Sequence, residues 1–208
     1  MTKYNIIAGQ SLDRLAALSD GLFSVAMTLL VLDIRVPPLE SVHSEQDLWR
    51  ALGVLAPRLI PYAMTFLTLG IFWVGQQTQL TYFERGDRNL AWISIAFLLT
   101  VSLTPFSTAL LAQFITYRTA LVVYWLNILL LGVGVWCTWQ YAVHAGLLKN
   151  DTPPQVHKAI KRRIYVAQAL YAFGALLCVI NTYWSIAFIV LCQLNYAVAP
   201  KIRLLYRL

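Results

Sequence analysis

Apolar residues run in long blocks along this chain, and polar residues collect in the short stretches between them. A helix crossing the roughly 30 Å hydrocarbon core of a bilayer needs about 20 mostly apolar residues at about 1.5 Å rise each. Six blocks meet or approach that length: 15–36, 55–77, 89–114, 119–146, 163–181 and 184–199. The last two are short and separated only by the turn-like Asn181-Thr182-Tyr183, which predicts a tight helical hairpin. Between the first two blocks, Pro37 to Asp47 is polar, and Ser44-Glu45-Gln46-Asp47 could start the second helix early. The stretch from Lys149 to Arg163 holds Pro153-Pro154 and a basic run, and reads as a loop against anionic headgroups. The first block is read as a retained helix, because acidic residues interrupt it and no small-residue cleavage site follows. The pattern predicts an all-α integral membrane protein, with residues 1–208 forming one six-helix domain.

Composition strengthens this reading. The chain is 59% hydrophobic and 12% charged, with a mean hydropathy of +0.64. Soluble domains carry about 25% charged residues, so the material for a water-facing surface is roughly halved. Tyr62, Tyr82, Trp92, Tyr117, Tyr165, Tyr183 and Trp184 lie near the ends of apolar blocks, where amphipathic rings suit the bilayer interfaces. Cys137, Cys178 and Cys192 each sit inside an apolar block, as small buried hydrophobes do.

The net charge of +7 would suit a nucleic-acid partner only if the basic residues shared a face, and they are spread over the connections between blocks. Their distribution instead sets orientation. With the N-terminus inside, the inner side holds Lys3, Arg14, Arg85, Arg88, Lys149, Lys158, Lys161, Arg162, Arg163, Lys201, Arg203 and Arg207. The outer side holds only Arg35, Arg50, Arg58 and Arg118. Twelve against four predicts cytoplasmic termini in a multi-pass protein of the cell (inner) membrane.

The first block carries the most information. Asp20 and Asp33 flank an uncharged stretch, 21–32, of about 18 Å as a helix. Carboxylates at such depths are costly against lipid and normally face protein or water. At about 100° per residue, Leu18, Gly21, Val25, Leu29, Leu32 and Val36 fall on one stripe, with Ser24 and Thr28 along its edge. Asp20 points roughly to the opposite side, toward another helix of the same subunit. The stripe fits either a helix–helix seam or a pore lining in which apolar rings constrict and hydroxyls solvate.

Arg14-x-x-x-Leu18-Ser19-Asp20-Gly21-Leu22-Phe23-Ser24-Val25-Ala26-Met27-Thr28-Leu29-Leu30-Val31-Leu32-Asp33-Ile34 resembles the Arg-x-x-x-Phe-Ser-Asp helix of the transmembrane-protein-175 family, the endolysosomal potassium channel and its prokaryotic relatives. The resemblance continues at Phe72-Trp73, at Asp87-Arg88-Asn89-Leu90-x-Trp92, at Phe97 and at Pro105-Phe106-x-Thr108. It covers roughly the first 110 residues well, and the remainder matches in hydropathy and helix count. Leu18 stands where the signature usually has phenylalanine. Gln76-Gln77 stand where relatives often carry histidine, and glutamine can hydrogen-bond but cannot titrate. Any pH sensitivity arising there should be weaker.

The resemblance implies a homotetramer whose first helices line a central pore. It places the pore constriction at Val25, with Leu29 and Leu32 as further apolar layers, and pore hydroxyls at Thr28 and Ser24. It places Arg14, Ser19, Asp20 and Trp73 in a polar network bracing the helix. The implied activity is a moderately selective potassium leak. Monovalent cations are the permeant species, the lipid bilayer is the surrounding partner, and no cofactor or bound metal is involved. An enzyme is disfavoured, because His43, His144 and His157 are scattered and show no nucleophile–base pair or metal-ligand spacing. A proton-coupled secondary transporter using Asp20 and Asp33 is the main alternative, although the chain shows no inverted repeat.

Overall fold

The computed structural model describes residues 11–198. Lys3, Lys201, Arg203 and Arg207 of the charge count lie outside the described residues. Helix α1, Leu12–Leu29, begins at Ser11, whose hydroxyl accepts from the Arg14 amide at 3.3 Å. Such a cap satisfies one of the four amides a helix start leaves unpaired. A tighter turn, Leu30–Asp33, continues it.

Helix α2, Glu45–Thr81, begins at Ser44, so the early start expected from the sequence is realised. The Ser44 hydroxyl accepts from the Asp47 amide at 3.2 Å and donates to its carboxylate at 2.7 Å. At 37 residues this helix is about 55 Å long, far beyond a bilayer core. No residue from Glu45 to Ile60 is buried, and Pro61 is the first that is. Arg58 lies level with Asp33 and Gln113, which end the preceding and following strokes of the chain. The first third of α2 therefore projects past the ends of its neighbours.

The expected third span, 89–114, is two helices: α3, Arg88–Ser102, and α4, Thr104–Gln113. Pro105 has no amide proton and its ring crowds the preceding turn, so the helix restarts at Leu103. The disturbed backbone is served from α5, Arg118–His144, where Asn127 donates to the Thr100 carbonyl at 3.0 Å. Helix α5 ends where Gly146, at φ 65°, lets the Leu147 amide return to the Ala142 carbonyl at 3.0 Å.

The fifth expected span, 163–181, is corrected at its start. Helix α6 runs Pro154–Leu176, with a short turn Leu177–Val179 beyond it. The basic run is not a loop but part of this helix. Lys158 and Arg162 are exposed, while Val156 and Ile160 pack inward. Helix α7, Thr182–Val198, closes the described chain. Among the described residues, four stretches are long and apolar enough to cross a membrane: Leu12–Asp33, Glu45–Thr81, Arg88–Gln113 and Arg118–His144. Helix α6 carries four cations in its first ten residues, and α7 has 17 residues.

The elements pack α1 on α2 and α3, α3 on α5, α2 on α4 and α7, and α6 between α5 and α7. At the end where α1 begins, the chain after α2 bridges the chain after α5. The Glu84 amide donates to Leu147 at 2.9 Å and the Lys149 amide to Tyr82 at 3.0 Å. Trp139 fills the space beneath, stacked on Phe83 and against His157. Deeper in, Thr65, Thr68, Thr108, Tyr124 and Gln193 form one buried hydrogen-bonded cluster. Apolar packing surrounds it, including Phe97, which lies over Gly134. A methyl group on Gly134 would stand 2.6 Å from the Phe97 ring. Phe97 is fully buried and cannot yield easily, so Gly134→Ala should cost about 1–3 kcal/mol, read as a lowered Tm of purified protein.

Candidate functional site

Helix α1 has two unlike faces. Leu15, Ser19, Phe23, Ala26 and Leu30 are buried against the rest of the chain. Leu18, Gly21, Ser24, Val25, Thr28, Leu29 and Leu32 point away from it. Val25 is 53% exposed, Leu29 45% and Leu32 69%. The apolar stripe is thus the face the chain leaves uncovered, and it continues to Val36.

The covered side is held by polar contacts near the start of the helix. Ser19 donates to the Leu15 carbonyl at 2.9 Å and accepts from Gln76 Nε2 at 2.9 Å. One oxygen of Asp20, Oδ1, accepts from Trp73 Nε1 at 2.7 Å and from Gln77 Nε2 at 2.6 Å. Trp73, Gln76 and Gln77 stand at i, i+3 and i+4, so one face of α2 delivers all three donors. Their shared orientation fixes both the depth and the rotation of α1, which decides which residues lie on its free face.

Arg14 does not join this network within the chain. Among the described residues its exposed side chain makes no bond, while its backbone amide donates to the Ser11 hydroxyl. Thr28 donates to the Ser24 carbonyl at 3.0 Å and to the Val25 carbonyl at 2.9 Å. Its proton is therefore turned into the helix, leaving oxygen lone pairs to face outward, the arrangement that suits a cation. Ser24 is exposed one turn earlier. Asp33 is half-buried at the other end of α1, close to Arg35 and Arg58. In the sequence, Gln76 and Gln77 stand out only as replacements for histidine. Their spacing from Trp73 was the available signal.

A relative from Streptomyces collinus, named a potassium channel, is 32% identical over 165 residues, covering 77% of this chain and 77% of that protein. The family model described as endosomal/lysosomal potassium channel TMEM175 matches residues 14–105. The chain belongs to the TMEM175 family. A second relative, from Chamaesiphon minutus and also named a potassium channel, is 29% identical over 177 residues, covering 83% of this chain and 87% of its own. The crystal structure of a lysosomal potassium-selective channel TMEM175 homolog from Chamaesiphon minutus superposes with a TM-score of 0.79 at 26% identity, over 90% of this chain and 97% of that one. A human relative is named an endosomal/lysosomal proton channel, and this chain spans 36% of its length at 25% identity. TMEM175 is a family of ion channels and not of enzymes. The TMEM175 match ends at Pro105, where the third stroke of the chain breaks, and it contains every residue of the brace.

Proposed function

We propose that this chain is one subunit of a homotetrameric, potassium-permeable leak channel, with the outward face of α1 lining the pore. The observation that carries the reading is the apolar stripe of Val25, Leu29 and Leu32, left uncovered while the opposite side of α1 is anchored by Ser19 and Asp20. Four such stripes around an axis make successive apolar rings, with the Ser24 and Thr28 oxygens beside the Val25 ring. Apolar rings close a pore by expelling water, so conduction requires widening, and selectivity is set by ring diameter and nearby dipoles. The relatives named potassium channels support potassium as the permeant ion. All six strokes of the chain cross the cell membrane in this reading, α6 by snorkelling its cations to the surface. Cytoplasmic termini are supported by the excess of basic residues in the connections on that side.

The test is potassium efflux from liposomes holding the purified chain, with and without a protonophore. Efflux through a channel moves charge, so it stalls at the potassium diffusion potential and runs on only when the protonophore lets protons enter as the compensating charge. A carrier working through Asp20 and Asp33 is the second reading, favoured by the exposure of Asp20 and the partial exposure of Asp33. It predicts electroneutral potassium–proton exchange, so efflux that proceeds without the protonophore and acidifies the lumen.

The glutamines at the brace give a further expectation. Gln77 holds Asp20 with a group that cannot titrate. Gln77→His substitutes a group titrating near pH 6.5. Flux through Gln77→His should show a step near neutral pH that wild type lacks, measured by recording both across pH 5.5–8.

A further inference from the structure

At the end of the bundle where α1 finishes, a cavity of about 300 Å³ opens between the end of α1, α2 and α4. Asp33, Arg35, Arg58, Ala109, Ala112 and Gln113 line it. This end is poor in cations, with Arg35, Arg50, Arg58 and Arg118 as its basic residues. Two of the four have evident structural roles. Arg50 pairs with Asp47 at 3.5 Å, stabilising the first turn of α2. Arg118 donates to the Val179 carbonyl at 2.9 Å, tying α5 to the end of α6. Arg35 and Arg58 have no partner among the described residues, not even Asp33 beside them, and both line the same cavity. Placing two unpaired guanidiniums in one pocket costs mutual repulsion unless an anion offsets it.

We propose that this pocket binds a phosphate group. Guanidinium forks match phosphate oxygens in bidentate geometry, and the Gln113 amide supplies another donor. Ala109 and Ala112 leave the floor open for a compact head. Asp33 contributes one negative charge against two positive, so the pocket is formally +1 and suits a singly charged phosphodiester better than a doubly charged monoester. The pocket sits level with the helix ends Asp33 and Gln113, where lipid headgroups would lie if these helices span the bilayer as proposed above. A lipid phosphodiester and free inorganic phosphate share this chemistry, and the experiment separates them. On the pore reading given above, the bound phosphate would also cancel the net positive charge of the pocket beyond Leu32 and ease cation passage at that mouth. The binding does not depend on that reading.

The test counts phosphatidylglycerol molecules retained per chain by native mass spectrometry of the full-length protein, and follows Tm against sodium phosphate at fixed ionic strength. R35Q/R58Q should retain one fewer phosphatidylglycerol than wild type. K158Q/K161Q, which removes the same charge at the other end, should keep that molecule. R35K/R58K preserves charge but not the forks and should bind about tenfold more weakly, which decides the matter if R35Q/R58Q does not fold. A phosphate-dependent rise in Tm, lost in R35Q/R58Q without any change in lipid count, assigns the site to free phosphate. Equal lipid retention and equal phosphate response in wild type and R35Q/R58Q overturns the proposal. In vesicles, phosphatidylglycerol should raise wild-type potassium flux over phosphatidylcholine and leave R35Q/R58Q flux unchanged. Absent flux with the lipid count intact would count against the pore reading alone.

Discussion

Val25→Asn should raise resting potassium flux by about tenfold or more and flatten the preference for potassium over sodium. Val25 is half-exposed at the middle of the uncovered face of α1, with Thr28 less than one turn away and Ser24 beside it. In a four-fold ring, valine methyls crowd the axis and exclude water, and the β-branched side chain has few rotamers with which to yield. Asparagine has similar reach but offers an amide to water and ions, so the dewetted segment becomes wet. A tenfold rise corresponds to about 1.4 kcal/mol off the barrier, a modest demand for a change in all four copies. Val25→Ile should act oppositely by narrowing the ring. Leu29→Asn should have a smaller effect if Val25 is the narrowest ring, and Leu32→Asn, on the tighter turn after α1, smaller still. Liposome flux and bi-ionic recordings read all of these. Unchanged flux and selectivity in Val25→Asn would remove Val25 from the pore.

The faces of α1 were legible because helical period alone separates Val25 and Leu29 from Phe23 and Ala26, and burial follows that division. The role of α2 was only partly so. Trp73 was recognisable from the family pattern, whereas Gln76 and Gln77 read merely as replacements for histidine. Their function follows from a face shared with Trp73, which a hydropathy profile averages away. The break at Leu103 had a visible cause in Pro105, but an unbroken apolar block of ordinary span length concealed it. The start of α6 was hidden for the reverse reason. Lys158, Lys161, Arg162 and Arg163 lower the hydropathy of this stretch, although Lys158 and Arg162 point outward and leave Val156 and Ile160 to pack inward. Length was misleading at α2 as well, since a helix continuing beyond the bilayer needs no apolar block to announce it.

The second large effect is expected at the brace. Trp73 Nε1 and Gln77 Nε2 converge on the same Asp20 oxygen, so either donor alone can keep the carboxylate tied to α2. Trp73→Phe, which retains most of the ring, and Gln77→Leu should each cost about 0.5–1.5 kcal/mol, the range for hydrogen bonds between membrane helices. The double variant should cost more than their sum. It strips both donors and leaves a carboxylate on a spanning helix with nothing to hold it, and charged groups are expensive to orphan. A coupling of about 1–2 kcal/mol is expected, within the range seen for residues sharing a partner. Asp20→Ala should resemble the double variant, because it orphans both donors at once. Function should fail before folding does. Once freed, α1 can rotate, and a turn of one residue, about 100°, would replace the stripe of Val25 and Leu29 with another face. Potassium flux in the double variant should therefore collapse or lose selectivity at temperatures where the protein remains folded by Tm. Strictly additive stability losses together with wild-type flux would show that Asp20 does not set the register of the pore helix.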